Sequence, residues 1–195
     1  MELFGQRGYA GTSLDEIARR ARVTKGALYH HFSGKQALFE AVFVEVETTV
    51  TARMAKIVLA AGDPWEQAMA GLHAYIQICL EPSYQRIVVH EGPVVMGLDR
   101  WRETEDRCSF GLIRDTVQAM VDAGVVADTP VEATSRLLFG ALSAAATVIA
   151  TASEQQKAGA EVKLVIERML DGLRRGGAMV TGSPPIGRSP RGRAE

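Results

Sequence analysis

Apolar residues recur at steps of three and four through nearly every segment of this chain, and they never alternate in a sustained period-two run bounded by turn residues. That spacing puts them on one stripe of a helix, so the pattern predicts an all-α protein without strands. Phe39, Phe43, Val46, Val50, Met54 and Ile57 form one stripe, and Trp65, Met69, Leu72, Ile76 and Cys79 a second. Phe110, Ile113, Val117 and Met120 form a third, and Val162, Val165, Met169 and Leu173 a fourth. At 195 residues the chain can bury a sizeable core without disulfides or metals. Its two cysteines, Cys79 and Cys108, exclude a disulfide scaffold and a four-cysteine zinc site, and they fit a reducing compartment.

Breakers divide the stripes. Gly62-Asp63-Pro64 ends one helix and starts another, with Asp63 as N-cap and Pro64 in the first turn. Glu81-Pro82-Ser83 and Gly92-Pro93 interrupt the middle of the chain. Gly124 is expected to follow a helix end, and Thr129-Pro130 to open the next helix. Beyond Gly176-Gly177 the composition turns to Pro, Gly, Ser and Arg with little to bury, so residues 178–195 read as a disordered tail. Residues 1–40 then form a head and 41–177 a helical body.

Leu137 to Ser153 is a 17-residue run without charge, rich in Ala, Ser and Thr and without an aromatic belt. It reads as a packed helix rather than a membrane span. Met1 to Ala10 has no apolar signal-peptide core, so the expected compartment is the cytoplasm. The formal net charge is −1, unevenly spread. The head carries +2, residues 41–173 carry −7 and residues 174–195 carry +4. A basic head on an acidic body suits a molecule that meets a polyanion at one end.

The first forty residues carry the chemistry. Ser13-Leu14-Asp15-Glu16 is a capping box opening a short helix, Leu14 to Ala21. Arg22-Val23-Thr24 is a turn, and Thr24 can cap a second short helix, Lys25 to Phe32, with Leu28 and Phe32 inward. Two short helices joined by three residues describe a helix-turn-helix, here over 13–32. The second helix would expose Lys25, Gly26, Ala27, Tyr29, His30 and His31, and no carboxylate occurs from 23 to 39. Such a face does not repel phosphate, and its small first residues let a backbone approach a groove. Lys35 could then clamp a backbone phosphate from the start of the following helix.

Gly8-Tyr9, Gly11-Thr12-Ser13, Ile17-Ala18, Ala21, Val23, Lys25-Gly26, Leu28-Tyr29, His31-Phe32, Lys35 and Leu38 together resemble the DNA-binding head of the tetracycline-repressor (TetR) family. The resemblance covers about the first forty residues; the body is similar in length and helical pattern only. It implies a homodimeric repressor of double-stranded operator DNA whose body binds a small inducer. By motif position it implies phosphate contacts from Thr12, Thr24, Tyr29, His30 and Lys35, and base contacts from Lys25, Gly26, Ala27 and Tyr29. Two departures stand out. Family members carry further helical turns ahead of Glu2-Leu3-Phe4, so either the native chain starts upstream of Met1 or its first helix is short. Arg22 also stands where the family's turn usually has Gly.

In the body, the aromatic and polar residues around the broken helices are expected to border a mostly apolar cavity: Tyr75, Cys79, Tyr84, His90, Met96, Trp101, Phe110 and Phe139. His90 has two open readings, a satisfied structural histidine or a polar group in that pocket. The acidic body favours a neutral or cationic apolar ligand over a multiply anionic one. The expected dimer interface takes Leu137, Gly140, Ala141, Ala144 and Ala145 from one helix, since small residues four apart let two helices approach closely. Val162, Val165, Met169 and Leu173 supply its second stripe. The alternative is that this run is buried within one subunit. No metal or cofactor is expected. His90-Glu91 lacks the second histidine of a zinc motif, because position 94 is Val, and His30 and His31 point apart on a helix. An enzyme built on His90, Glu91 and Cys108 finds no base–nucleophile arrangement in the sequence.

Overall fold

The computed structural model describes residues 1–174, and every element in it is helical apart from one isolated antiparallel bridge, Val126 to Arg174. The expected tail over 178–195 lies outside the described residues. Three short helices make the head: α1 (Glu2–Arg7), α2 (Leu14–Ala21) and α3 (Lys25–His31). The Ser13 hydroxyl accepts from the Glu16 amide at 3.2 Å, and the Thr24 hydroxyl from the Ala27 amide at 3.1 Å, so each helix starts at its expected cap. The turn between them forces Arg22 into the left-handed region, φ 56° and ψ 37°. The geometry that Gly adopts freely is therefore kept here by an arginine, at the steric cost of its Cβ.

The head is joined to the body by α4 (Lys35–Ala60), 26 residues and so about 39 Å long. Its first turns hold the junction. Phe39 is fully buried, with Phe4 at 5.3 Å and Tyr9 at 5.5 Å between ring centroids, both edge-on. Further along, Phe43, Val46 and Val50 stay buried as expected. The stripe drifts at its end, where Val58 is buried and Ile57 is turned outward.

The body adds α5 (Pro64–Cys79), α6 (Pro82–Tyr84), α7 (Gly92–Met96), α8 (Leu98–Asp122), α9 (Val131–Thr151) and α10 (Gln155–Asp171). The Asp63 carboxylate caps α5 through the Trp65 and Glu66 amides, and Gly124, at φ 65°, follows α8 as expected. Gly92-Pro93 does not break the chain. Residues Gln85–Glu91 wind as a π-helix that runs directly into α7, and the real stop is Gly97, at φ 83°. Pro82 sits in a first helical turn, where a missing N–H costs no hydrogen bond, and Pro93 lies where the π-helix passes into α7, with the Val88 carbonyl five residues back accepting from the Trp101 indole instead.

α4 packs on α5 and α8, α8 on α9, and α9 on α10, which closes the bundle back on α5. By length and composition α9 could cross a membrane; here Leu138, Ala145, Ala146 and Ile149 face the bundle core. The fourth stripe splits between two faces. Ile166 and Leu170 are buried with Val162 and Leu173 against the core, whereas Leu164, Val165 and Met169 face outward.

Candidate nucleic-acid interface and ligand cavity

α3 presents Lys25, Gly26, Ala27, Tyr29, His30 and His31 to solvent, while Leu28 anchors it inward. Tyr29 is 49% exposed, and the His30 and His31 rings meet edge-on at 5.5 Å. A Cβ on Gly26 would meet only the Thr24 hydroxyl, at 4.0 Å. Internal packing therefore does not require glycine there, although glycine inside a helix costs about 0.5–1 kcal/mol. Close approach of an external backbone is a requirement that would. Lys25 is not free on this face: its ammonium pairs with Asp15 of α2 at 2.7 Å, which holds its pKa above the ordinary lysine value.

Two expected DNA contacts have internal tasks instead. Thr12 is 1% exposed, and its hydroxyl donates to the Gly8 carbonyl at 2.7 Å and the Leu3 carbonyl at 3.2 Å, so its side chain is turned away from any DNA surface. The Lys35 ammonium donates to the carbonyls of Tyr9 at 2.8 Å and Thr12 at 3.0 Å and lies 4.3 Å from the centre of the Tyr9 ring. It ties the loop before α2 to the start of α4; its charge stays near the surface, but its donors are engaged.

The head is fastened to the π-helical segment by groups that sequence reasoning did not single out for this role. Both oxygens of Glu91 accept from the Tyr9 amide, at 2.8 and 2.9 Å, and the Arg86 guanidinium donates to the Gln6 carbonyl. No periodicity could have marked Glu91, because its partner is a backbone amide 82 residues away. A charge-assisted hydrogen bond contributes roughly 1.5–3 kcal/mol. Glu91→Ala is therefore expected to speed amide hydrogen exchange at Tyr9 by about tenfold or more while global stability changes less. Unchanged exchange at Tyr9 would show that the clamp carries no energy.

The body holds two adjoining cavities between α4, α5, α8 and α9. The larger, about 80 Å³, is almost wholly apolar and lies among Met54, Val58, Leu72, Leu138, Ile166 and Leu170. The smaller, about 40 Å³, is bordered by Glu47, Tyr84, Glu105, Ser109 and Phe139. Met54, Tyr75, Leu112, Ile113 and Leu142 are walls of both. Of the expected lining, Tyr75, Tyr84 and Phe139 are in place, and the other five are not. His90 is exposed on the far side of the π-helix. Trp101 is held away by donating its indole N–H to the Val88 carbonyl at 3.1 Å. Phe110 packs between Phe139 and the Arg136 guanidinium. Met96 and Cys79 are consumed in core packing, and burial pushes the Cys79 thiol up to about 12, leaving it unreactive.

The polar end of the cavities was missed because its residues are charged. Glu47 is 2% exposed and sits in register with the Phe43–Val50 stripe; Glu105 is buried on α8. A carboxylate at a core-facing position was the available signal. Burial raises the Glu47 pKa against the opposing hydrogen bond from Ser109. Burial, reinforced by the Glu47 charge, pushes Glu105 up to about 8.

On the outer face of α9 the chain shows Leu137, 75% exposed, with Gly140, Ala144, Thr147 and Val148, all without charge. A Cβ on Gly140 would meet nothing. α10 continues the surface with Leu164, Val165 and Met169. Ala145 is excluded from this face, being 3% exposed toward its own core; Val162 and Leu173 likewise pack inward, and Ala141 is half-buried at the edge.

Two family models match the chain, one for bacterial regulatory proteins of the tetR family over residues 1–42 and one for the tetracyclin repressor-like C-terminal domain over residues 65–173. A TetR-family transcriptional regulator from Pectobacterium atrosepticum has a similar solved structure, with TM-score 0.79 and 32% identity, covering 89% of each chain. The transposon Tn10 TetC protein of Escherichia coli is 32% identical over 120 residues, 61% of this chain and 58% of that protein. The A-factor receptor protein of Streptomyces griseus is 48% identical over 48 residues, 25% of this chain and 17% of its own length. The matches thus span under two thirds of those two curated relatives, and they agree with the helix-turn-helix head and helical body described above. The chain belongs to the TetR family of bacterial regulatory proteins.

Proposed function

We propose that this protein is a cytoplasmic, homodimeric transcriptional repressor that leaves its operator when a small apolar ligand occupies the body cavity. The observation that carries the reading is the face of α3. It is capped by Thr24, free of carboxylates, and holds a glycine that nothing inside the protein requires. Base-edge contacts are assigned to Lys25, Gly26, Ala27 and Tyr29, and backbone positioning to Thr24, Tyr29 and His30. Lys25 must exchange Asp15 for DNA on binding. Lys35 acts chiefly by fixing the loop that precedes α2.

The dimer forms through the charge-free face of α9 and the outward face of α10, two helices from each copy. An exposed apolar surface of this extent is unfavourable in water, and an isologous pairing removes it. In the operator-bound form it sets the two α3 helices about 34–36 Å apart, one turn of DNA.

Tyr84 supplies the coupling between cavity and head. Its ring borders the polar cavity and its backbone leads into the π-helix, whose Arg86 and Glu91 hold the head loop. A ligand that displaces Tyr84 moves those anchors and changes the spacing of the heads. By linkage, the ligand weakens operator binding by the free energy with which operator weakens ligand binding.

The test is a mobility shift on DNA flanking the protein's own gene, with Tyr29→Ala beside the wild type. The wild type is expected to retard one fragment specifically. The variant is expected to bind it roughly 10-fold to 100-fold more weakly, from the loss of about 1–3 kcal/mol of contact. Its thermal midpoint stays close to wild type, because half-exposed Tyr29 lies outside the core. Equal retardation by both proteins would remove α3 from the DNA interface.

A further inference from the structure

The smaller cavity is unlike the apolar one beside it. It brings two carboxyl groups, Glu47 from α4 and Glu105 from α8, to one end of an otherwise apolar space. Ser109 donates to Glu47 Oε2 at 2.7 Å, and among the described residues nothing donates to Glu47 Oε1. An unpartnered acceptor on a buried carboxyl is costly, and proteins seldom keep one without use. Among the described residues no cation fills the place. Arg102 is the one basic group with a favourable influence on Glu105, while Arg136 at the nearby surface is engaged by Asp106, Glu132 and the Phe110 ring. The site therefore has hydroxyl neighbours in Ser109 and Tyr84 but lacks a positive donor.

The carboxyl end of the cavity lies close to the α9 face that the proposed dimer uses. Glu105, Phe139 and Ser143 also border an open groove between α8 and α9, so the carboxyl end lies just beneath the surface. Beyond it, past Met54, Ile113 and Leu142, the cavity continues as hydrocarbon. A cavity near 150 Å³ holds a benzene-sized molecule, so these adjoining spaces suit a single ring once the walls relax slightly.

We propose that the cavity binds a small hydrophobic amine as its protonated ammonium, with the positive group donating to Glu47 and Glu105 and the apolar body lying against Met54, Ile113 and Leu142. This rests on the ligand-responsive reading above and supplies the chemical class of the ligand. Burial disfavours the charged form of each acid and an ammonium compensates it, so the site selects charge as well as shape. An anion of the same shape meets two carboxyls with no cation to balance its charge, and a neutral analogue supplies only ordinary hydrogen bonds.

Titration calorimetry on the free protein with three probes of matched shape tests this: phenethylammonium, 2-phenylethanol and 3-phenylpropanoate. The ammonium is expected to bind at least about tenfold more tightly than the alcohol, with no binding of the carboxylate. Glu47→Gln is expected to lower ammonium affinity to the level of the alcohol while leaving the alcohol's unchanged, and Glu105→Gln to lower it in the same direction. Equal binding of all three probes, no binding of the ammonium, or undiminished ammonium affinity in Glu47→Gln would each overturn the proposal. The titration needs no DNA. Failure to retard any operator would therefore strike the repressor reading alone, and failure of the ammonium to bind would strike this inference alone.

Discussion

Ala144→Arg is expected to give a folded monomer that binds operator at least about 100-fold more weakly than the wild type, because linking two binding heads contributes a factor of about 10²–10⁴. Ala144 is exposed on the charge-free face of α9, beside a glycine whose Cβ position is open. A single arginine there is harmless to the isolated subunit. In the proposed dimer it faces the partner subunit, so a bulky charged side chain enters the contact from each copy. Ala145→Arg is the contrasting case. Ala145 is 3% exposed toward the subunit core, and a charge there unfolds the protein rather than separating the copies. Sedimentation and anisotropy on one sample of each variant decide the matter. An Ala144→Arg protein that stays dimeric and binds operator normally would take the α9 face out of the interface.

A second large effect is expected in the pH dependence of stability. Glu105 has its folded pKa pushed up to about 8 from an ordinary value of 4.5. Between those values the folded protein holds a proton that the unfolded chain has released, so stability falls as pH rises. The favourable contribution is complete below pH 4.5 and gone above pH 8. At about 1.36 kcal/mol per pKa unit, the swing is on the order of 3–5 kcal/mol. Glu105→Gln keeps the shape and removes the titration. The variant should match the wild type near pH 5 and exceed it by a few kcal/mol above pH 8, with the gap opening across that window. Chemical denaturation of the two proteins at several pH values measures it; parallel pH profiles would contradict the buried, repelled state of Glu105.

Local signals in the sequence were reliable where the physics is local. The hydroxyl caps at Ser13 and Thr24, the Asp63-Pro64 start and the Gly124 stop each depend on a few neighbouring residues, and each is in place. The left-handed turn was legible too, although its occupant is Arg22. The path around Gly92-Pro93 was not. A proline reads as a breaker in isolation, but here a π-helix feeds straight into it, and the Trp101 indole donates to the Val88 carbonyl five residues before Pro93. Non-local partners hid the remaining features. Lys35 was read as a clamp on a backbone phosphate, yet its ammonium donates to the carbonyls of Tyr9 and Thr12. Glu47 and Glu105 were not singled out in the sequence, yet they form the polar end of the cavity. On α9 and α10 the composition marked an apolar, charge-free surface, but helix register alone decides that Ala144 looks out and Ala145 looks in.

The central claim is that a dimer reads a specific DNA sequence through two copies of α3. It is tested most directly by measuring the affinity of the wild type for its own flanking operator and for a scrambled duplex of equal length, across a series of salt concentrations. The claim predicts preference for the operator by about 10³-fold or more, with affinity falling linearly in the logarithm of salt for both duplexes. Equal affinity for the two duplexes at every salt concentration would contradict it.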